Sequence, residues 1–401
     1  MRLITRASSL VAAMAAALTV ALAQGPAAAQ EVGARRGTDI TSPEIASDRR
    51  VTFRLRAPEA KAVTVSGDFG SDAAMRKGED GLWSVTVGPL DPEMYVYYFT
   101  VDGVRLIDPS NPQVKIGYVT STTTSLLTVP GDKPAFYDVQ DVPHGEIRTL
   151  LYKSKSNGVT REMTVYLPPG YDQANGRRYP VLYLLHGFAN DHHSWHRYGR
   201  ANDILDNLLA QRAIQPFLVV MPLGYGGAHV NGDGTGIAPE GSGAFRGDAP
   251  LYERDLLEDI IPMIDRKYRT IADRRQRAII GFSMGGGQAG RFGLRNLDTF
   301  SQVGIMSAGM APGTDGEPIA TLAANPDKTN KLIDLLWIAC GTEDTAMKGA
   351  RTLHQALDKA GIEHTFLETE GAHHWRVWRR YLRDVAPLLF KQAGTAPKTA
   401  R

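Results

Sequence analysis

The sequence predicts two unlike folds in one chain of 401 residues: a small β-sandwich, then an α/β domain built on a mostly parallel central sheet. Two observations predict this. From Arg50 apolar and polar residues alternate with no helical stretch between them, and a period of two marks half-buried strands. After His144 short continuous apolar runs ending in Gly, Ser or Pro alternate with amphipathic stretches. Such runs suit strands buried on both faces, with helices covering the sheet.

Taken in order, the amino terminus reads as an export signal. Arg2 and Arg6 precede an apolar run from Leu10 to Leu22, and the small residues of PAAAQ follow it. Residues 1–29 are therefore expected to be a signal peptide, removed in a secreted or periplasmic protein. The run is shorter than the ~20 apolar residues of a membrane span, and no membrane span is expected in the mature chain. Residues 30–47, polar and without apolar period, are expected to form a flexible leader.

Residues 48–130 carry the alternating strands: Val51, Phe53 and Leu55, then Val63 and Val65, then Trp83, Val85 and Val87, then Tyr95, Tyr97 and Phe99. SGDFGSD and DGLW supply turns between them, at the spacing of an immunoglobulin-like sandwich. Residues 131–145, rich in Pro and Gly, read as a linker. The runs YPVLYLLHG, PFLVVMP, QRAIIGFS, QVGIMSAG and LLWIACG then give the parallel strands of a domain over 146–393. Residues 394–401 form a tail.

Lysine and arginine number 45 against 43 acidic residues, a net charge of +2. That balance supplies no polyelectrolyte attraction, so a nucleic-acid partner is not expected. Cys340 is the only cysteine, which excludes an intramolecular disulfide. Its apolar strand context argues against a nucleophile.

The chemistry gathers around AIIGFSMGGGQAGRFG. Ser283 follows an apolar strand and precedes a helix, the context of a nucleophile elbow, where flanking glycines let the backbone turn sharply. A serine needs a base and an orienting acid. CGTEDTAMKG puts Asp344 in the loop after a strand, with Glu343 beside it, and GAHHW offers His373 and His374 before a helix. The order serine, acid, histidine is that of an α/β-hydrolase. The backbone N–H of Met284 is one oxyanion donor, and that of Phe188, after LYLLHG, is the second. His186 stands in the wrong chain order for the base and is expected to hold its loop. His192, His193 and His196 crowd NDHHSWHRYG, yet with no third ligand in view and no H-E-x-x-H pattern, neither a metal nor any other cofactor is expected.

With these residues in hand, the chain resembles the esterase D branch of the α/β-hydrolases, which includes feruloyl and acetyl-xylan esterases of carbohydrate esterase family 1. VLYLLHGFANDHHSW, GRANDILDNLLA, LVVMPLGYG, LLEDIIPMID, GFSMGGGQA, CGTED and GAHHWRVWRRYL carry the likeness in family order. Relatives commonly read Gly-Gly-His, a variable residue and Trp in the last motif. The resemblance thus assigns the base to His373, with Ala372 as a departure from the second glycine. It implies a serine esterase whose substrate is an ester-bearing cell-wall polysaccharide, feruloyl first and acetyl second. Trp195, Tyr225 and Phe245 are then candidates for the slot that receives the acyl group.

The amino-terminal region resembles early-set domains related to glycogen-binding modules. Trp83 sits at a core position of its strand, which favours a structural or site-completing role over sugar stacking. Tyr95 and Tyr118 are the aromatics left for an exposed role. Two other readings stand beside the esterase of plant polysaccharide: a siderophore esterase using Arg197, Arg200 and Arg246, or a carbohydrate-binding protein with an inactive hydrolase domain.

Overall fold

The computed structural model describes residues 40–118, 123–174, 176–227, 249–310 and 318–391. The signal peptide, most of the leader, the tail, Phe245 and Arg246 lie outside the described residues. The chain divides into Met1–Thr41 and Ser42–Arg401, and every element below belongs to the second unit.

Among the described residues ten strands come first: β1 (Glu44–Ile45), β2 (Val51–Arg56), β3 (Val63–Gly67), β4 (Gly70–Ala74), β5 (Arg76–Lys77), β6 (Leu82–Val87), β7 (Glu93–Val101), β8 (Val104–Leu106), β9 (Val114–Lys115) and β10 (Thr124–Val129). They make two antiparallel sheets, ordered β1-β2-β6-β5 and β4-β3-β7-β10-β9, with β8 on the side of β7. Alternation decides which side chains meet: Phe53 from one sheet and Tyr97 from the other lie 4.8 Å apart between ring centroids, in one core with Val51, Val65, Phe99 and Leu127. Trp83 belongs to that core, its Nε1–H donating to the carbonyl of Ala57 at 2.8 Å. Tyr95 is a correction to the sequence reading: it is buried, and its hydroxyl donates to the carbonyl of Asp91, so it offers no face for sugar.

The second half is an eight-stranded sheet. Its strands are β11 (Glu146–Ser154), β12 (Val159–Leu167), β13 (Val181–Leu185), β14 (Leu218–Pro222), β15 (Arg277–Phe282), β16 (Gln302–Met306), β17 (Leu335–Gly341) and β18 (Thr365–Thr369). The order is β11-β12-β14-β13-β15-β16-β17-β18, with β11 and β12 antiparallel and the six others parallel. Successive side chains point to opposite faces, so Val181, Tyr183 and Leu185 enter one core while Leu182 and Leu184 enter the other. The helices are α1 (Ser194–Arg197), α2 (Ala201–Ala210), α3 (Ala249–Arg254), α4 (Ile261–Lys267), α5 (Met284–Arg295), α6 (Ile319–Ala323), α7 (Pro326–Leu332), α8 (Met347–Lys359) and α9 (Trp375–Val385). A π-helical turn over Asp255–Ile260 joins α3 to α4, where the sequence reads as one amphipathic helix.

One guanidinium joins the two halves. Arg379 on α9 is 1% exposed; it donates to Glu93 Oε1 of β7 at 2.6 Å, to the Tyr198 carbonyl at 2.8 Å and to the Met94 carbonyl at 3.1 Å. It also lies over the ring of Tyr137, 4.8 Å from its centroid. Removing one partner of such a pair strands the other charge in the interior, which costs about 3–5 kcal/mol. Arg379→Met is therefore expected to lower the urea midpoint strongly, and Arg379→Met with Glu93→Gln to recover part of the loss. Arg254→Met, at an exposed pair with Glu258, should change stability by less than about 0.5 kcal/mol. A midpoint for Arg379→Met equal to that of Arg254→Met would refute the clamp.

Candidate active site

The strand β15 ends at Phe282, and Ser283 turns the chain into α5 with φ 54° and ψ −121°. A side chain held at positive φ is strained, and such strain is found at nucleophile elbows. The turn needs its glycines. A Cβ at Gly281 would collide with the carbonyl of Gly285, and one at Gly285 with the carbonyl of His186. The amide of Ser283 is fixed by the Met306 carbonyl at 2.9 Å.

Three of the residues singled out in the sequence come together here. Ser283 Oγ lies 2.9 Å from Nε2 of His373, and Nδ1 of His373 lies 2.8 Å from Oδ1 of Asp344. Asp344 stands in the loop after β17, its side chain buried, whereas its neighbour Glu343 is exposed. Burial pushes the Asp344 carboxyl up, but the hydrogen bond from His373, the N–H of Ala346 and the Ser307 hydroxyl more than offset it and hold it below the usual carboxylate value. His374 faces away, 3.2 Å from Nη2 of Arg376, and burial pushes its pKa down to about 4.

Trp378 supports this group, and the sequence reading passes over it. Its Nε1–H donates to Ser307 Oγ at 2.9 Å, its ring stacks on Phe282 at 3.9 Å, and His373 meets it edge-on at 5.1 Å. The signal is its position one turn after Trp375 on α9, the i,i+3 spacing of residues on one helix face.

The loop after β13 lies against the elbow: a Cβ at Gly187 would stand 3.2 Å from that of Ser283. His186 is tied inside it, Nδ1–H donating to the Gly187 carbonyl and Nε2 accepting from the Gly224 N–H at 2.9 Å. Burial pushes its pKa down to about 4, so it stays neutral. Gln288 of α5 donates to the Gly224 carbonyl, and Arg161, fully buried on β12, donates to the carbonyls of Leu223 and Tyr225. Phe188 is 45% exposed, and Asn190 Nδ2 donates to its carbonyl.

Two of the expected acyl-slot aromatics differ from the sequence reading. Trp195 is 1% exposed and packs on Phe282 and Trp375, its Nε1–H bonded to the Leu185 carbonyl. Tyr225 is equally buried, its hydroxyl donating to the Asn190 carbonyl. Neither has surface to give a ligand; both support the loop from beneath. Phe245 lies outside the described residues. The β-rich half meets this loop at Tyr118, whose N–H donates to the Ala189 carbonyl at 3.1 Å and whose ring stacks on Tyr225 at 5.7 Å. Tyr118, Leu223, Tyr225 and Met284 form one apolar cluster. Of the arginines, Arg200 pairs with Asp203 at 3.0 Å, Arg197 is exposed, and Arg246 lies outside the described residues. Cys340 is buried, and burial pushes its thiol up to about 12, which leaves it unreactive.

The model of the Esterase family matches residues 154–389. An endo-1,4-beta-xylanase/feruloyl esterase of Xylanibacter ruminicola is 34% identical over 87% of this chain and 46% of its own length. An esterase of Mycobacterium tuberculosis is 26% identical over 56% of this chain and 55% of its own. The chain spans about half the length of the curated relatives it matches. Among solved structures, a ferulic acid esterase is 28% identical with a TM-score of 0.52, covering 61% of this chain and 97% of that one. A CE1 ferulic acid esterase from Anaeromyces mucronatus is 25% identical with a TM-score of 0.54, covering 64% and 94%. An enterobactin esterase from Shigella flexneri, 16% identical with a TM-score of 0.62 over 84% of this chain and 92% of that one, shares the fold.

Proposed function

Because this chain belongs to the Esterase family, we propose that it hydrolyses carboxylic esters on plant cell-wall polysaccharide, feruloyl esters first and acetyl esters second, through an acyl-enzyme on Ser283. The observation that carries this reading is the unbroken run of contacts from Ser283 Oγ through His373 to Asp344. The feruloyl preference is supported by the names of the Xylanibacter relative and the two ferulic acid esterase structures.

His373 Nε2 takes the proton as Ser283 Oγ attacks the ester carbonyl, while Asp344 holds Nδ1–H and stabilises the imidazolium. The tetrahedral oxyanion is held by the backbone N–H groups of Met284 and Phe188. The first opens α5, where the helix dipole favours negative charge, and the second follows Gly187, which packs on Ser283. Collapse breaks the bond to the sugar oxygen, which leaves with the proton from His373. Water, deprotonated by the same imidazole, then attacks the acyl-enzyme and releases the acid with Ser283 restored.

In the same reading residues 48–130 form an immunoglobulin-like early-set domain, residues 131–145 link it to the esterase domain over 146–393, and the mature protein is secreted after loss of 1–29. No helix among the described residues is long and apolar enough to cross a membrane. The domain's role is to complete the site, for which the contact of Tyr118 with the 188–190 loop speaks.

Hydrolysis of methyl ferulate, acetylated xylan, p-nitrophenyl acetate and a ferric catecholate ester by the full chain tests the substrate. The expected result is the highest kcat/KM on methyl ferulate among the natural-type esters. A preference for the catecholate ester would overturn the polysaccharide reading in favour of a siderophore esterase. Inactivity on all four would sink both.

A further inference from the structure

The loop that carries Phe188 also carries a histidine with no part in the chemistry above. His192 is 3% exposed, and its Nδ1 has no hydrogen-bond partner among the described residues. Its Nε2 stands 3.3 Å from Oε2 of Glu162 on β12, yet no hydrogen bond is aligned there. The ring of His193 lies beside it, with centroids 3.9 Å apart, and Nδ1 of His193 is 3.2 Å from Oγ1 of Thr164. One ligand atom from each of Glu162, His192 and His193 falls within 4.8 Å of the others.

We propose that Glu162, His192 and His193 bind a divalent zinc-type ion, with one ring nitrogen from each histidine and one carboxylate oxygen as its protein ligands.

A buried imidazole without hydrogen bonds is costly and calls for a partner. An ion pair with Glu162 does not answer that call, since no hydrogen bond is aligned between His192 Nε2 and the carboxylate. Bonds of about 2.0–2.1 Å in a tetrahedron set two ligand atoms about 3.3 Å apart, which is the separation of His192 Nε2 and Glu162 Oε2. Two imidazoles and one carboxylate favour zinc over magnesium or calcium, which take all-oxygen shells. Glu162 and His193 are only partly buried, which opens a path from solvent and leaves a fourth position for water. Thr164 at Nδ1 of His193 fixes that ring, as outer partners of metal-bound histidines do.

His196, crowded beside them in the sequence, is not in the group; its ring meets that of His193 at 5.4 Å. The third ligand comes instead from a strand about thirty positions earlier in the chain, so no local motif announces it. A bound ion would pin the 188–193 loop to β12, beneath the segment that carries the Phe188 amide. The inference does not depend on which ester the enzyme cleaves.

The test uses the full-length chain without a histidine tag, stripped with a chelator and titrated calorimetrically with Zn²⁺ and, separately, with Mg²⁺. One zinc per chain is expected, with no magnesium uptake, and cobalt in its place should give the intense visible bands of a four-coordinate ion. Glu162→Gln and His193→Ala, at partly exposed positions, should each weaken zinc by ~100-fold or more while circular dichroism shows a folded chain. His354→Ala, in the more exposed group with Asp358 and His364, should leave zinc binding as it was. No zinc uptake by the wild type overturns the proposal, whatever the variants do. Wild-type affinity in both Glu162→Gln and His193→Ala, or loss only in His354→Ala, overturns it equally.

Discussion

Ser283→Ala is expected to lower kcat on p-nitrophenyl acetate and on methyl ferulate by about 10⁵–10⁶-fold, with KM little changed. The substitution removes one oxygen from a site whose other parts stay in place, because the turn is set by Gly281, Gly285 and the bond from the residue 283 amide to Met306. A residual rate of about 10³–10⁴ over water should survive from the oxyanion donors and binding alone. His373→Ala added to Ser283→Ala should then cost almost nothing more, since residues that act as one unit are not additive. Stopped-assay kinetics on the two single variants and the double variant would decide it. A Ser283→Ala protein within tenfold of wild type would remove the acyl-enzyme from consideration.

The second large effect belongs to Asp344→Asn, for which a drop of about 10⁴-fold in kcat at neutral pH is expected. The amide keeps the shape of the carboxylate but lacks the charge that stabilises the imidazolium. Oδ1 accepts from both the Ala346 N–H and His373, so an amide with its oxygen there keeps both bonds without the charge, while one with its NH₂ there loses the Ala346 bond and imposes the wrong tautomer on His373. Burial makes this worse, because no water stands in for the missing charge at a side chain so enclosed. Glu343→Gln is the control: that side chain is exposed, and its loss should leave kcat within about twofold. If Glu343→Gln fell as far as Asp344→Asn, the orienting role would be shared between the two.

What the sequence makes legible follows from how local each signal is. The elbow, the loop acid and the paired histidines each sit at a strand end, and a parallel sheet brings its carboxyl ends together, so Ser283, the Glu343–Asp344 pair and the His373–His374 pair are legible in the chain alone. The choice of His373 over His374 needs the family motif; in the fold it follows from His374 turning toward Arg376. Trp195 and Tyr225 mislead because an aromatic in a loop motif looks the same whether it lines a slot or props the loop from below. Their burial depends on Phe282, Trp375 and Tyr118, residues remote in the chain. Tyr118 is marked in the sequence only as an aromatic left for an exposed role, and its meeting with Ala189 and Tyr225, like that of Glu162 with His192, crosses between elements that no period or spacing records. The π-helical turn is hidden because Asp255 is held by Tyr152 and Arg161, from strands remote in the chain.

The Arg379 clamp bears on how such a protein can be recombined. The helix that begins just after His373 also supplies Trp378 beneath the acid and Arg379 to β7, so one eleven-residue segment serves the reacting group and the seam at once. A hydrolase half cut from this chain and spliced behind another leader would carry a bare guanidinium on its new face. Any successful transplant must bring a carboxylate to meet position 379 or replace that arginine with an apolar side chain. In this chain the two halves are therefore expected to work as a matched pair rather than as interchangeable cassettes.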